Sequence, residues 1–347
     1  MRRAVLALLG LGLGLGLGGC DDAPGGQEVM PRPPAESYAA YCALCHGDEG
    51  QGYTADAASA LANQEFLATA PDALIGTAIE LGRPGTSMSA WSTERGGPLT
   101  RADVDVLVDF IRAWQTVPSI DVSAVTVTGV AERGAPLWEF QCARCHGTEG
   151  QGGPFTSLAS PTFLATASDG FLQRAIAKGR PDTPMEGFED RLTPQGIDDL
   201  VALIRSWQTP VDDTLDPLPV LDPATLVVNP GGPEPALGDV RHVPVDTVKA
   251  ELDRGAAMVL LDARPPADYL HGHIAGAVSV PFYAVEQFVA QLPQDRWIVT
   301  YCACPHAESG EAADVLEANG FTRVRVLDEG VRVWAARGYP MREGATP

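Results

Sequence analysis

The feature that most constrains this chain is a motif that occurs twice. Tyr41-Cys42-Ala43-Leu44-Cys45-His46-Gly47 returns as Gln141-Cys142-Ala143-Arg144-Cys145-His146-Gly147. The flanking sequence repeats with it. Gly82-Arg83-Pro84 returns as Gly179-Arg180-Pro181, followed by Met88 and Met185 respectively. Leu99-Thr100 returns as Leu192-Thr193, and Ile111-Arg112-Ala113-Trp114-Gln115 returns as Ile204-Arg205-Ser206-Trp207-Gln208. Landmarks kept in one order mean an internal duplication. The copies span residues 35–117 and 130–210. Val104, Leu107, Val108 and Ile111 fall at i, i+3, i+4 and i+7, as do Ile197, Leu200, Val201 and Ile204, so each copy closes on an amphipathic helix. Thr100 and Thr193 stand at the N-cap positions and Pro194 at the first helical position. Each copy therefore reads as a small all-helical unit.

Cys-x-x-Cys-His is the attachment signature of c-type haem. At i, i+3 and i+4, Cys42, Cys45 and His46 share one face of a helical turn, as do Cys142, Cys145 and His146. Two thiols can then bond to a haem while the imidazole reaches the iron. Disulfides or one pooled zinc site are the competing uses of four such cysteines. Neither accounts for the histidine at the same offset twice or the downstream methionine twice. Between Gly47 and Gln115 the only Met is Met88, and between Gly147 and Pro210 the only Met is Met185; neither stretch holds another His. Bis-histidine ligation within a copy is thereby excluded, and the expected metal ligands are His46 with Met88 and His146 with Met185. The expected cofactors are two covalently bound haem c groups, held through Cys42, Cys45, Cys142 and Cys145. The copies resemble small class I cytochromes c, in which the methionine follows a Gly-Arg-Pro-type turn and precedes the last helix. Ser89 and Glu186 depart from that family, which often has Pro after the methionine. Trp91, Trp114 and Trp207 read as core packing rather than electron relays.

With 347 residues the chain should divide into two or three domains, and 45% apolar residues suffice for packed cores. The formal charge of −21 repels nucleic acid and makes a basic redox protein the natural partner, although such acidity also serves solubility. Met1-Arg2-Arg3 followed by the uncharged run Ala4 to Gly19 reads as an export signal, too short and glycine-rich for a spanning helix. Its end, Leu17-Gly18-Gly19-Cys20, resembles the lipobox of bacterial lipoproteins. That resemblance implies that residues 1–20 form a lipoprotein-type signal peptide whose Cys20 is lipidated and becomes the new N-terminus, and a lipoprotein anchored to a membrane on its periplasmic side. Residues 21–34, rich in Gly, Pro and acid, read as a flexible tether. No later segment is long and apolar enough to span a bilayer.

Residues 211–240 are rich in Pro, Asp and Gly and read as a linker lying along the surface. From 241 to 342 the runs Met258 to Leu261, Ala277 to Val280, Trp297 to Tyr301 and Arg323 to Leu327 alternate with helix-like stretches, which predicts a parallel sheet covered on both faces. Val259-Leu260-Leu261-Asp262-Ala263-Arg264, Tyr269, Gly272-His273-Ile274-Ala275-Gly276-Ala277, Val280-Pro281-Phe282 and Gly338-Tyr339-Pro340 after Trp334 closely resemble a rhodanese-like domain. The fold class implied is thus multidomain, two small all-α cytochrome c domains followed by an α/β rhodanese-like domain. The resemblance places the family's catalytic cysteine at Cys302, where it carries a persulfide between a sulfur donor and an acceptor. Asp262, Arg264 and His273 are then structural, and His271 is a surface residue. A helix beginning near Ser309 would aim its N–H groups at the loop. The loop Cys302-Ala303-Cys304-Pro305-His306-Ala307-Glu308 has no Arg or Lys, and Glu308 would oppose an anionic donor. Polysulfide or a protein persulfide suits it better than thiosulfate. Cys304 is a second thiol that could resolve the persulfide, and His306 is either a loop base or a solvated side chain. Three functions are compatible with these residues: an electron carrier whose third domain handles sulfane sulfur, a sulfurtransferase with haems as electron outlet, and a redox sensor or adaptor whose third domain only binds.

Overall fold

The computed structural model describes residues 31–347 apart from 56, 85, 152, 154, 213, 215, 304 and 305. The expectations for Cys20, the export signal and most of the tether, and for Cys304, lie outside the described residues. The first copy runs α1 (Pro34–Tyr41), α2 (Ala43–His46), α3 (Gln64–Thr69), α4 (Asp72–Leu81) and α5 (Arg101–Arg112). The second repeats it as α6 (Ala131–Gln141), α7 (Ala143–His146), α8 (Pro161–Thr166), α9 (Asp169–Lys178) and α10 (Pro194–Ser206). Thr100 caps α5 in a reciprocal capping box with Asp103, and the Thr193 side chain accepts from the Gly196 N–H at the start of α10. The predicted stripes are the buried faces of these two helices. Burial of a leucine such as Leu107 or Leu200 stabilises by about 1.5–3 kcal/mol.

Duplication reaches the side-chain contacts. Arg112 pairs with Asp72 at 2.6 Å and donates to the Leu67 carbonyl at 2.6 Å; Arg205 does the same with Asp169 and Leu164, both at 2.6 Å. The copies also pack on each other. Thr162 donates to the Gly82 carbonyl at 2.8 Å, Asn63 donates to the Pro181 carbonyl at 2.8 Å, and Arg174 pairs with Glu65.

The third region contains β1 (His242–Val243), α11 (Val245–Asp253), β2 (Val259–Asp262), α12 (Pro266–His271), β3 (His273–Ile274), β4 (Val278–Ser279), α13 (Val285–Phe288), β5 (Ile298–Tyr301), α14 (Ala307–Ala318), β6 (Val324–Leu327), α15 (Gly330–Ala336) and β7 (Met341–Arg342). Five strands form a wholly parallel sheet in the order β1-β6-β5-β2-β4, with Leu261 opposite both Thr300 and Val278. Strand residues alternate between two cores, as a period of two requires. Val259, Leu261 and Ile298 face α13 and α14, whereas Leu260, Val299 and Leu327 face α11 and α15. A separate antiparallel pair joins β3 to β7.

Two expectations are corrected here. Residues 211–240 contain no described helix or strand, but they do more than lie along the surface. Leu226 and Leu237 are buried, and Val228 bridges Met258 at the start of β2, because isolated apolar residues in an otherwise polar stretch still seek the core. The end of the tether is also fixed, since the Arg32 N–H donates to Asp103 at 2.7 Å and its guanidinium to the Tyr41 hydroxyl at 2.9 Å.

Candidate functional site

Each Cys-x-x-Cys-His segment forms a one-turn helix set off from the preceding helix at its first cysteine, where φ is −113° at Cys42 and −116° at Cys142. An aromatic side chain nine residues before the following glycine steadies each turn. The Tyr38 hydroxyl donates to the Gly47 carbonyl at 2.7 Å, and the Trp138 indole donates to the Gly147 carbonyl at 3.0 Å. His46 Nδ1 lies 2.8 Å from the Ser59 carbonyl, and His146 Nδ1 lies 2.8 Å from the Thr156 carbonyl. A carbonyl only accepts, so each Nδ1 carries the proton and each Nε2 is left with its lone pair for a metal. Desolvation lowers the pKa of both imidazoles, which favours the neutral, ligating form.

The methionine loops are equally matched. The Arg83 N–H donates to the Met88 carbonyl and the Arg180 N–H to the Met185 carbonyl, each at 2.7 Å. Gly82 (φ +63°) and Gly179 (φ +66°) precede them, and a Cβ on either would lie 2.5 Å from the Met88 or Met185 carbonyl oxygen, so only glycine fits. Ser89 departs from proline for a visible reason: its hydroxyl donates to Asp268 of the third domain. Glu186, the matching departure, pairs with Arg191.

These residues fit a haem. Burial pushes the thiols of Cys42 and Cys142 up to about 12. Cys42 packs against the core of the first copy and Cys142 against that of the second, so the pairs do not pool. Burial brings the guanidinium of Arg83 down to about 10, still charged at neutral pH, and its enclosed Nε has no partner among the described residues. Arg83 is near enough to His46 to lower its pKa further. An enclosed cation beside the metal-binding imidazole calls for an anion, and haem carries two carboxylates. Arg180, also brought to about 10, is its counterpart in the second copy.

Between the copies, Arg83 lies 5.0 Å from the Phe163 ring of the second copy, and Arg180 lies 5.9 Å from the Phe66 ring of the first. Ser59 Oγ and Thr156 Oγ1 are 3.1 Å apart. Since their carbonyls hold the two histidines, an unbroken run of residues links His46 to His146. Sequence reasoning missed this pair because Ser59 follows its histidine by 13 positions and Thr156 by 10. Arg83 and Arg180 stood in the repeat but carried no assigned role.

In the third region, Cys302 follows β5 and is 1% exposed. Its Sγ lies 3.3 Å from Ser309 Oγ. Helix α14 begins at Ala307, two residues before the expected start, because His306 adopts a left-handed conformation (φ 71°) and turns the chain into the helix. Glu308 is buried, and desolvation together with Cys302 and Asp268 raises its pKa well above the usual carboxylate range. Burial thus works against the opposing charge expected from the sequence. His306 Nε2 contacts Asp328 Oδ1 at 2.8 Å and its ring stacks on His242 at 3.9 Å, so this half-buried side chain is partnered rather than isolated. Asp262 and Arg264 form a buried two-point pair at 2.9 and 2.5 Å. His273 stacks on Tyr269 at 3.7 Å and its Nδ1 donates to the Tyr269 carbonyl at 2.8 Å. Both are scaffold. His271 Nδ1 donates to the Ala267 carbonyl at 2.5 Å.

The third region and the first copy share one continuous core, which contains Trp91, Leu107, Phe282 and Leu316. Helix α14 packs against α2. Tyr283 donates to the Gly96 carbonyl at 2.9 Å, and its ring lies 5.9 Å from Tyr41 and 6.2 Å from Trp91. Trp91 is thus part of a core that spans two domains.

A parallel α/β domain ending its central strand in a cysteine, preceded by paired haem-attachment units, defines a cytochrome fused to a sulfur-chemistry fold. Residues 244–337 match the rhodanese-like domain family, and residues 30–111 and 129–204 match the family described as cytochrome c oxidase, cbb3-type, subunit III. Among curated relatives, the HTH-type transcriptional regulator Rv0324 of Mycobacterium tuberculosis is 34% identical over 32% of this chain and 50% of its own. The chain therefore spans half the length of that relative. A sulfurtransferase of Allochromatium vinosum is 29% identical over 29% of this chain and 94% of its own. The thiosulfate sulfurtransferase GlpE of Stutzerimonas stutzeri is 30% identical over 28% of this chain and 85% of its own. The solved rhodanese-like domain of Alr3790 from Anabaena is 29% identical, with a TM-score of 0.29, over 30% of this chain and 80% of its own. The chain belongs to the rhodanese-like family through its C-terminal domain, and its N-terminal region consists of cbb3-type cytochrome c domains that bind haem c covalently.

Proposed function

We propose that this protein is an exported dihaem electron carrier whose rhodanese-like domain handles sulfane sulfur on Cys302. The observation that carries this reading is the shared core that presses α14, just after the Cys302 loop, against the haem-attachment helix α2. Haem, when bound, supplies a one-electron iron couple. Cys42 with Cys45 and Cys142 with Cys145 anchor one haem in each copy. His46 and His146 each keep a proton on Nδ1 and offer Nε2 to iron, and Met88 and Met185 are the sulfur ligands. Arg83 and Arg180 hold carboxylate charge inside the fold. Cys302 takes a sulfur atom from polysulfide or a protein persulfide; the absence of Lys and Arg in positions 302–308 disfavours thiosulfate. The acidic surface suits a basic redox partner, and lipidated Cys20 would anchor the chain at the periplasmic side of a membrane.

Intact-mass measurement of the exported protein tests the reading. It should show two haems that survive acid-acetone extraction, and polysulfide treatment should add sulfur to the peptide containing Cys302. One haem or none overturns the dihaem assignment, and sulfur loading elsewhere overturns the role of Cys302.

A further inference from the structure

Cys302 is enclosed, yet a packed set of rings connects its surroundings to the first haem-attachment helix. Ser309 of α14 has its Oγ 3.3 Å from Cys302 Sγ, and α14 packs against the Phe282–Ala284 turn that carries Tyr283. Tyr283 packs on Tyr41, and Tyr41 is joined by a peptide bond to Cys42, the first thiol of the attachment motif. The second copy has no such connection among the described contacts; it meets the first copy through Ser59 and Thr156.

We propose that Tyr283 and Tyr41 form an electron path from Cys302 to the haem of the first copy, by which hydrogen sulfide is joined to Cys302 as a persulfide while the two haems are reduced. The inference rests on the dihaem reading above and adds a substrate, a direction and an entry point. The chemistry balances. The Cys302 thiol and hydrogen sulfide each lose one S–H bond, one S–S bond forms, and two protons leave to solvent. Two electrons leave one at a time, and two ferric irons become ferrous. Two haems in one chain match the two electrons of a single persulfide. Hydrogen sulfide also suits the site, because it is small and uncharged, whereas Cys302 is 1% exposed and its neighbour Glu308 is buried. The route is carried by packing: aromatic rings in contact couple electronically better than aliphatic groups of the same volume.

The test mixes ferric protein with sodium sulfide without oxygen and follows ferrous haem in time, with intact mass as a second readout. Tyr283→Leu should slow haem reduction at least about tenfold, and Tyr283→Phe, which keeps the ring, should restore it. Both variants should still load sulfur from polysulfide, which shows that the third domain is folded. In the wild type, the haem of the first copy should be reduced before that of the second, with the two spectra assigned through the Met88→Ala and Met185→Ala variants. Equal rates in wild type and Tyr283→Leu, reduction of the second haem first, or unimpaired reduction in Cys302→Ser would overturn the path. Failure of the dihaem reading would look different, because the wild type would then lack a haem or fail to load polysulfide.

Discussion

Met88→Ala and Met185→Ala should each remove half of the sulfur-to-iron absorption band near the red end of the spectrum, and each should lower one of the two reduction potentials. Each methionine is the only one in its copy, and neither copy has a second histidine to replace it. The loops that present them are built alike, with a glycine of positive φ, an arginine N–H on the methionine carbonyl, and a threonine hydroxyl accepting from the methionine N–H at 3.1 Å (Thr86) and 3.2 Å (Thr183). Truncating the side chain leaves this backbone intact, so loss of the ligand should not unfold the copy. Thioether ligation raises the potential. A fall of roughly 0.1 V or more is expected, a modest part of the about 0.8 V that axial ligands command. Spectroelectrochemical titration of the two variants checks both statements. An unchanged spectrum in both would place the sulfur ligands elsewhere.

Cys302→Ser should abolish sulfur loading while leaving both haem spectra as in the wild type. A hydroxyl in place of the thiol cannot form the persulfide, and the serine fits the same enclosed position beside Ser309. Cys304→Ser should keep loading and lengthen the life of the persulfide, because Cys304 stands two positions away and can release sulfide by forming a disulfide. Intact mass after polysulfide treatment, followed over time, separates the cases. If Cys302→Ser still loads, the nucleophile is misassigned. If both variants behave alike, the two thiols act as a unit.

Much of this was legible in residue order. The stripes Val104–Leu107–Val108–Ile111 and Ile197–Leu200–Val201–Ile204 are the buried faces of α5 and α10 because a helical period survives in any window of a dozen residues. The three four-residue strands β2, β5 and β6 were visible as β-branched runs, and the short β4 lies inside the run Ala277 to Val280. The two-residue strands β1, β3 and β7 were not, since two residues carry no period. What the sequence hid is tertiary. Ser59 and Thr156 sit at unequal offsets from their histidines, so aligning the copies does not pair them. Tyr283 is one aromatic residue in a loop until α14 docks on α2. Glu308 reads as a charge, and the rise of its pKa comes from burial and from Cys302 and Asp268 nearby. Ser89 reads as a departure from proline, and its hydrogen bond to Asp268 lies 179 positions away.

The most direct test of the coupling between the two halves of this molecule is a stoichiometry. Ferric Cys304→Ser protein, in which no second thiol two positions away can release the bound sulfur, is titrated with sodium sulfide in the absence of oxygen, and ferrous haem is counted optically while sulfur on Cys302 is counted by mass. The account predicts two haems reduced for each sulfur atom bound at Cys302. Haems reduced with no sulfur on Cys302, or sulfur bound from sulfide while both haems stay ferric, would contradict it.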